Sequence, residues 1–261
     1  MATALPSYAE LRCVSHYTFL HGSSGPEQLV QRAAGLGYHA LAIADECTVA
    51  GVVKAHLAAK ESGLKLLIGS QMVVTPEDGT PTFSLLILAM NKNGYGNLCE
   101  LITVARRRAN KGEYLARPRD IAVPPPELAA LRGMFDCQLI LLPRYGAAIN
   151  VIERQAAWLL QCAAGRVRIA LSLHFRSLDE EHRDIVTALG AQFEMPLVAT
   201  VDVVMHVRSA KPLQDTMTAI RHGVPVAQCG YRLASNAEQH LRSRSGLATF
   251  IHARRSTKPS A

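Results

Sequence analysis

The chain has 261 residues, 49% of them hydrophobic and 19% charged, enough for one barrel-sized α/β domain or two smaller ones. No run of about 18 apolar residues offers a membrane span, and "MATALPSYAELR" lacks the basic start and apolar core of a secretory signal. The net charge of +7 is local: from Val207 onward there are nine Lys/Arg against two Asp/Glu, whereas the first 206 residues carry 19 of each sign. Such an excess suits either phosphate backbones or a solvated tail. In chain order, "LRCVSHY" predicts a first strand. "SSGPEQLVQRAAGLG" predicts a helix capped by Ser24 and stopped near Gly37. "HALAIAD" is a second strand ending at Asp45. "TVAGVVKAHLAAKESG" is a helix with Thr48 as cap and Gly63 as stop. "LKLLIGSQMVV" and "FSLLILAMN" are the third and fourth strands, joined by the turn "TPEDGTPT". A helix follows over about 94–110, then a Pro-broken loop and short helix over 117–133. "CQLILLP", "RVRIALSLH" and "PLVATVD" are the remaining strands, with helices between them and another beginning near Pro212.

Seven apolar strands alternating with helices predict a parallel sheet, closed or open, with ligands at the C-terminal strand ends. The side chains there are His16, His21, Asp45, Glu46, Gln71, His174 and Asp202. Cys13, Cys47, Cys99, Cys137, Cys162 and Cys229 are scattered without a CxxC pair, so reduced thiols in a cytoplasmic protein are expected. The chain has no GxSxG elbow, P-loop or GxGxxG, and "GYGNL" reads as the turn opening a helix. The run Arg106, Arg107, Arg108 with Lys111 is a candidate DNA contact or a helix end complementing its dipole; Arg242 and Arg244 in the basic C-terminal region are further candidates. His56 reads as a helix-face residue and His206 as a neighbour of the strand ends.

Long ordered blocks carry a family resemblance. "SHYTFLHGSSGPEQLVQRAAGLGYHALAIADECTVAGVVKAH" and "LKLLIGSQM" resemble the opening of the PHP domain of bacterial DNA polymerase III alpha subunits. "NKNGYGNLCELITVARRRANKGEY" and "VDVVMHVRSAKPLQDTMTAIRHG" resemble the error-prone branch of that family. The resemblance runs from about Tyr8 to Leu247 and implies a distorted TIM-like (β/α)7 barrel over 1–206. It implies a closing segment and start of a linker toward a polymerase palm over 207–249. Residues 250–261 depart from the family and read as a disordered tail, as in a truncated gene product.

In the family, strand-end His, Asp and Glu side chains hold two or three metal ions that activate water for phosphoester hydrolysis. By the same resemblance most ligand positions here are lost: Arg12 and Val14 replace a His-x-His, Gln71 a Glu, Ser84 a His, Ser172 a Glu and Val204 a His. Asp202 is kept, while Glu46 and His21 stand where the family has His and Asp; His16 is a substitute candidate. These four leave room for at most one weakly held Mn2+, Zn2+ or Fe2+, and Arg12 opposes a cation unless Glu46 or Asp45 pairs with it. Three readings follow: a structural module of an error-prone, translesion DNA polymerase with DNA and other replication proteins as partners; a metal-dependent phosphoesterase or 3′-5′ exonuclease; and a DNA-binding fragment acting through its basic C-terminal region.

Overall fold

The computed structural model describes residues 7–77 and 82–247; the expected tail over 250–261 lies outside them. Seven strands, β1 (Ala9–Glu10), β2 (Ala40–Ile43), β3 (Lys65–Val74), β4 (Phe83–Ala89), β5 (Cys137–Leu142), β6 (Val167–Leu171) and β7 (Leu197–Ala199), form one sheet in sequential order. Helices α1 (Pro26–Gly35), α2 (Val52–Ser62), α3 (Lys92–Arg107), α4 (Pro118–Ala122), α5 (Ile149–Ala163), α6 (Asp179–Gln192) and α7 (Lys211–His222) lie between and after them. The two sheet ends meet. Val14 N–H donates to the Val203 carbonyl at 2.9 Å and Val203 N–H to the Arg12 carbonyl at 2.9 Å. The sheet thus curls into the expected barrel, although the first strand is only Ala9–Glu10, just before "LRCVSHY", and within that run only the Cys13–Val203 bridge forms.

The sheet is not wholly parallel. β4 runs antiparallel to both β3 and β5; only eight residues separate β3 from β4, too few for the crossover that a parallel pair needs. This correction matters for the site. Ser84, at the start of β4, faces Leu142 at the end of β5, so both lie at one rim. Period-two alternation then sorts the side chains. Leu86 and Leu88 join Ala42, Ala44, Ile140, Leu142 and Ala170 in one cluster. Leu85 and Ile87 join the larger cluster that includes Leu98, Leu101, Ile152 and Leu159 of the covering helices.

Helix starts differ from expectation. The N-cap of α1 is Gly25, with the Gln28 side chain accepting from its N–H at 2.9 Å. Ser24 instead accepts from His206 N–H. The N-cap of α2 is Gly51, and Thr48 closes a local turn onto Ala50 N–H. Gly63 ends α2 in the left-handed region, as its position suggested. Residues 237–247 pack back onto the barrel rather than standing off it: Leu241 and Leu247 enter the cluster of α1 and α2, and Tyr38 donates to the Arg242 carbonyl. The six cysteines are free thiols, and Cys13, Cys47, Cys137 and Cys229 are buried.

Candidate functional site

The barrel mouth is built around Arg12. Its Nε lies 3.0 Å from Asp202 Oδ1 and donates to Gln71 Oε1 at 2.9 Å. The expected pairing with Glu46 or Asp45 is therefore corrected: Arg12 binds Asp202 and Gln71 instead. Gln239 donates to Asp202 Oδ2 at 3.0 Å, so both carboxylate oxygens are engaged. Val14 and Val204 are buried together with Met205 in a small apolar cluster. That side of the mouth is therefore filled by packing and offers no donors.

Asp45 and Glu46 serve the scaffold. Asp45 accepts from Ser15 N–H at 2.7 Å, Ser15 Oγ at 2.8 Å and Thr18 Oγ1 at 2.8 Å, fixing the loop after the first bridge. Burial raises its pKa, and these bonds oppose the rise. Glu46 accepts from the Tyr114 hydroxyl at 2.6 Å. Glu10, absent from the sequence-based candidates, is a buried clasp across the barrel seam. It accepts from Tyr8, from the N–H groups of Arg12 and Val201, and from the Thr200 hydroxyl. Burial raises its pKa too.

The histidines are dispersed. His16 is exposed beside Tyr17. His21 accepts from Arg221 at 2.9 Å through Nδ1, and burial lowers its pKa. His174 donates from Nε2 to the Val201 carbonyl at 2.7 Å and accepts at Nδ1 from Arg176 at 3.0 Å, which sets one neutral tautomer. Among the described residues no group of three or more His, Cys, Asp or Glu side chains is placed to hold a metal ion. Asp202, Glu46, His21 and His16 are not brought together as one ligand set.

Three candidate DNA contacts are committed inside the molecule. Arg106 donates to the carbonyls of Glu46, Cys47, Gly112 and Glu113, tying α3 to the barrel rim. Arg108 forms a two-pronged ion pair with Asp120 at 2.7 Å, anchoring α4. Arg242 is only 7% exposed and donates to the carbonyls of Glu238 and Leu173. Arg107 and Lys111 are exposed, and Arg244 is half-buried.

A cavity of about 380 Å³ opens at the mouth and is lined by Arg12, Ser84, Ser172 and Asp202, four residues singled out in the sequence. Arg144, Arg176 and His182 line it as well. Sequence reasoning missed these three, though Arg144 and Arg176 lie in the loops that follow β5 and β6, where strand-end side chains belong.

The PHP domain family model matches residues 10–194. The chain belongs to the PHP domain family. It is 51% identical over 251 residues to an error-prone DNA polymerase of Ralstonia nicotianae, a match spanning 96% of this chain and 23% of that protein. An error-prone DNA polymerase of Burkholderia mallei is 50% identical, over 95% of this chain and 24% of the relative. The chain therefore spans about a quarter of the length of the curated relatives it matches. Among solved structures, a putative metal-dependent phosphoesterase from Bifidobacterium adolescentis superposes with TM-score 0.50 at 18% identity, covering 76% of this chain and 88% of the other. An amidohydrolase from Chromobacterium violaceum gives 0.54 at 16%, covering 76% and 87%. These two likenesses concern the fold.

The metals that the PHP fold implies do not fit this donor set. A cluster of divalent ions needs several convergent imidazoles and carboxylates. Here the centre of the mouth is a guanidinium already neutralising Asp202 and bonded to the Gln71 amide, with the hydroxyls of Ser84 and Ser172 in the same lining.

Proposed function

We propose that this chain is the PHP-domain portion of an error-prone DNA polymerase and acts there as a scaffold without a metal centre. The observation that carries the reading is the Arg12 guanidinium held between Asp202 and Gln71. A fixed positive charge on the last family carboxylate does what a metal would do for that carboxylate, and it repels a cation at the same place. The roughly 50% identity to error-prone polymerases along nearly the whole chain supports the assignment to that branch. On this reading the whole polymerase copies damaged DNA in the cytoplasm with DNA and other replication proteins as partners. Nucleotidyl transfer then belongs to the three quarters of the relatives that lie outside the matched region. Among the described residues no helix is long and apolar enough to cross a membrane.

Exonuclease and phosphatase assays with added Mn2+, Zn2+ or Fe2+ test the scaffold reading. It predicts no turnover above background. Turnover that disappears in Asp202→Ala would replace it with the phosphoesterase reading based on Asp202, Glu46, His21 and His16.

A further inference from the structure

We infer that the cavity at the barrel mouth is a metal-independent binding site for a terminal phosphate, with guanidinium groups in the place of ions. The inference rests on the scaffold reading above and goes beyond it by naming a ligand class. Arg12, Arg144 and Arg176 all line the cavity, against the single carboxylate Asp202. Asp202 is already paired with Arg12 and hydrogen-bonded by Gln239, so the lining keeps an excess of positive charge. Arg12 uses Nε for both of its partners, which leaves its two terminal nitrogens without a hydrogen bond among the described residues. Arg144 is exposed and has no carboxylate partner among them. Arg176 lies over the Tyr145 ring at 3.6 Å and donates once, to His174. Stacking holds the planar fork rigid while its other donors stay uncommitted.

A second observation is the burial of one donor. Arg176 Nε is buried with no hydrogen-bond partner among the described residues, a costly state that a ligand oxygen would relieve. His182 lines the same cavity with its ring against Tyr145, and no hydrogen bond holds either ring nitrogen among the described residues. Ser84 and Ser172 add hydroxyl donors. Planar guanidinium forks, hydroxyls and one neutral imidazole match the several acceptor oxygens of a phosphate monoester.

The volume is within the range of small-ligand sites. A second cavity of about 530 Å³ shares His174 and Arg176 and continues toward Tyr231, leaving space for the group the phosphate is attached to. The phosphate belongs either to a free nucleotide or to the end of a DNA strand.

Calorimetric titration of the chain in excess EDTA, at low ionic strength, tests this with inorganic phosphate, a deoxynucleoside monophosphate and a 5′-phosphorylated oligonucleotide beside its unphosphorylated form. Binding of all three phosphate probes without metal is expected, with Arg144→Ala weakening it ~10-fold. Arg144 is exposed, so this variant keeps the fold, and its unchanged melting temperature serves as control. A mononucleotide that binds as tightly as the oligonucleotide assigns the site to free nucleotides; a tighter phosphorylated oligonucleotide assigns it to strand ends. Absence of binding with or without metal, or binding unchanged in Arg144→Ala, overturns this inference and leaves the scaffold reading intact. Binding that requires Mn2+ overturns both.

Discussion

Arg12 and Asp202 form the contact on which the mouth depends, and spacing could not announce it. The two residues are 190 positions apart, and the sequence offered Glu46 and Asp45 as nearer partners for Arg12. Asp45 takes three hydrogen bonds from the Ser15–Thr18 loop and Glu46 is turned to Tyr114, while Asp202 lies beside the Arg12 Nε. A double-mutant cycle of Arg12→Met and Asp202→Asn, read by urea unfolding, is expected to show coupling of about 1–2 kcal/mol. Additive losses would mean the pair has no energetic content. Burial also lowers the pKa values of His174 and His182 below the ordinary histidine range. In the unfolded chain both titrate near ~6.5. Just below that value the unfolded state binds protons the folded state refuses, so stability falls as pH drops from about 7.5 to about 6. Glu10 and Asp45, raised by burial, act oppositely, since the folded state takes their protons first. His182→Phe removes the His182 share, and its stability should decline less steeply with acidification than that of the parent chain. Parallel pH profiles would contradict that assignment.

Strands and helices were readable where burial is continuous, and less so where a side chain chose a long-range partner over a local one. The strands from "HALAIAD" to "CQLILLP" stand where apolar runs placed them. Ser24 was a plausible cap by residue type, but His206 engages it from across the barrel, and Gly25 took the cap position. The reversed direction of β4 followed from the short turn before it, a clue outweighed by the helix-rich pattern on either side. Arg106 and Arg108 looked like a surface charge run because sequence does not reveal which carbonyls and carboxylates lie opposite them. Close packing of α3 supplies a direct test. A Cβ on Gly94 would lie 1.9 Å from the Asp136 carbonyl oxygen, so α3 sits against the backbone just before β5. Gly94→Ala is expected to destabilise the chain by about 1–3 kcal/mol in chemical denaturation, despite the better helix propensity of alanine. A neutral or stabilising result would mean that this approach is looser than described.

Across the whole molecule, the barrel closes through Glu10, Arg12, Val14 and the 201–203 segment, and the C-terminal segment 237–247 braces the same seam. Arg12, Ser84, Ser172 and Asp202, singled out by the resemblance, line one cavity at the mouth. The resemblance did not disclose Arg144 and Arg176, which join Arg12 in the cationic lining. Helices cover the outside of the sheet as the alternation of strands and helices implied, whereas seam closure needed contacts between residues nearly 200 apart. The direct measurement is metal content by mass spectrometry at known protein concentration, after equilibration with Mn2+, Zn2+ and Fe2+ and removal of free ions. A guanidinium-centred mouth predicts well under one ion retained per chain. Two tightly held ions per chain, released when Asp202 is replaced by alanine, would contradict it.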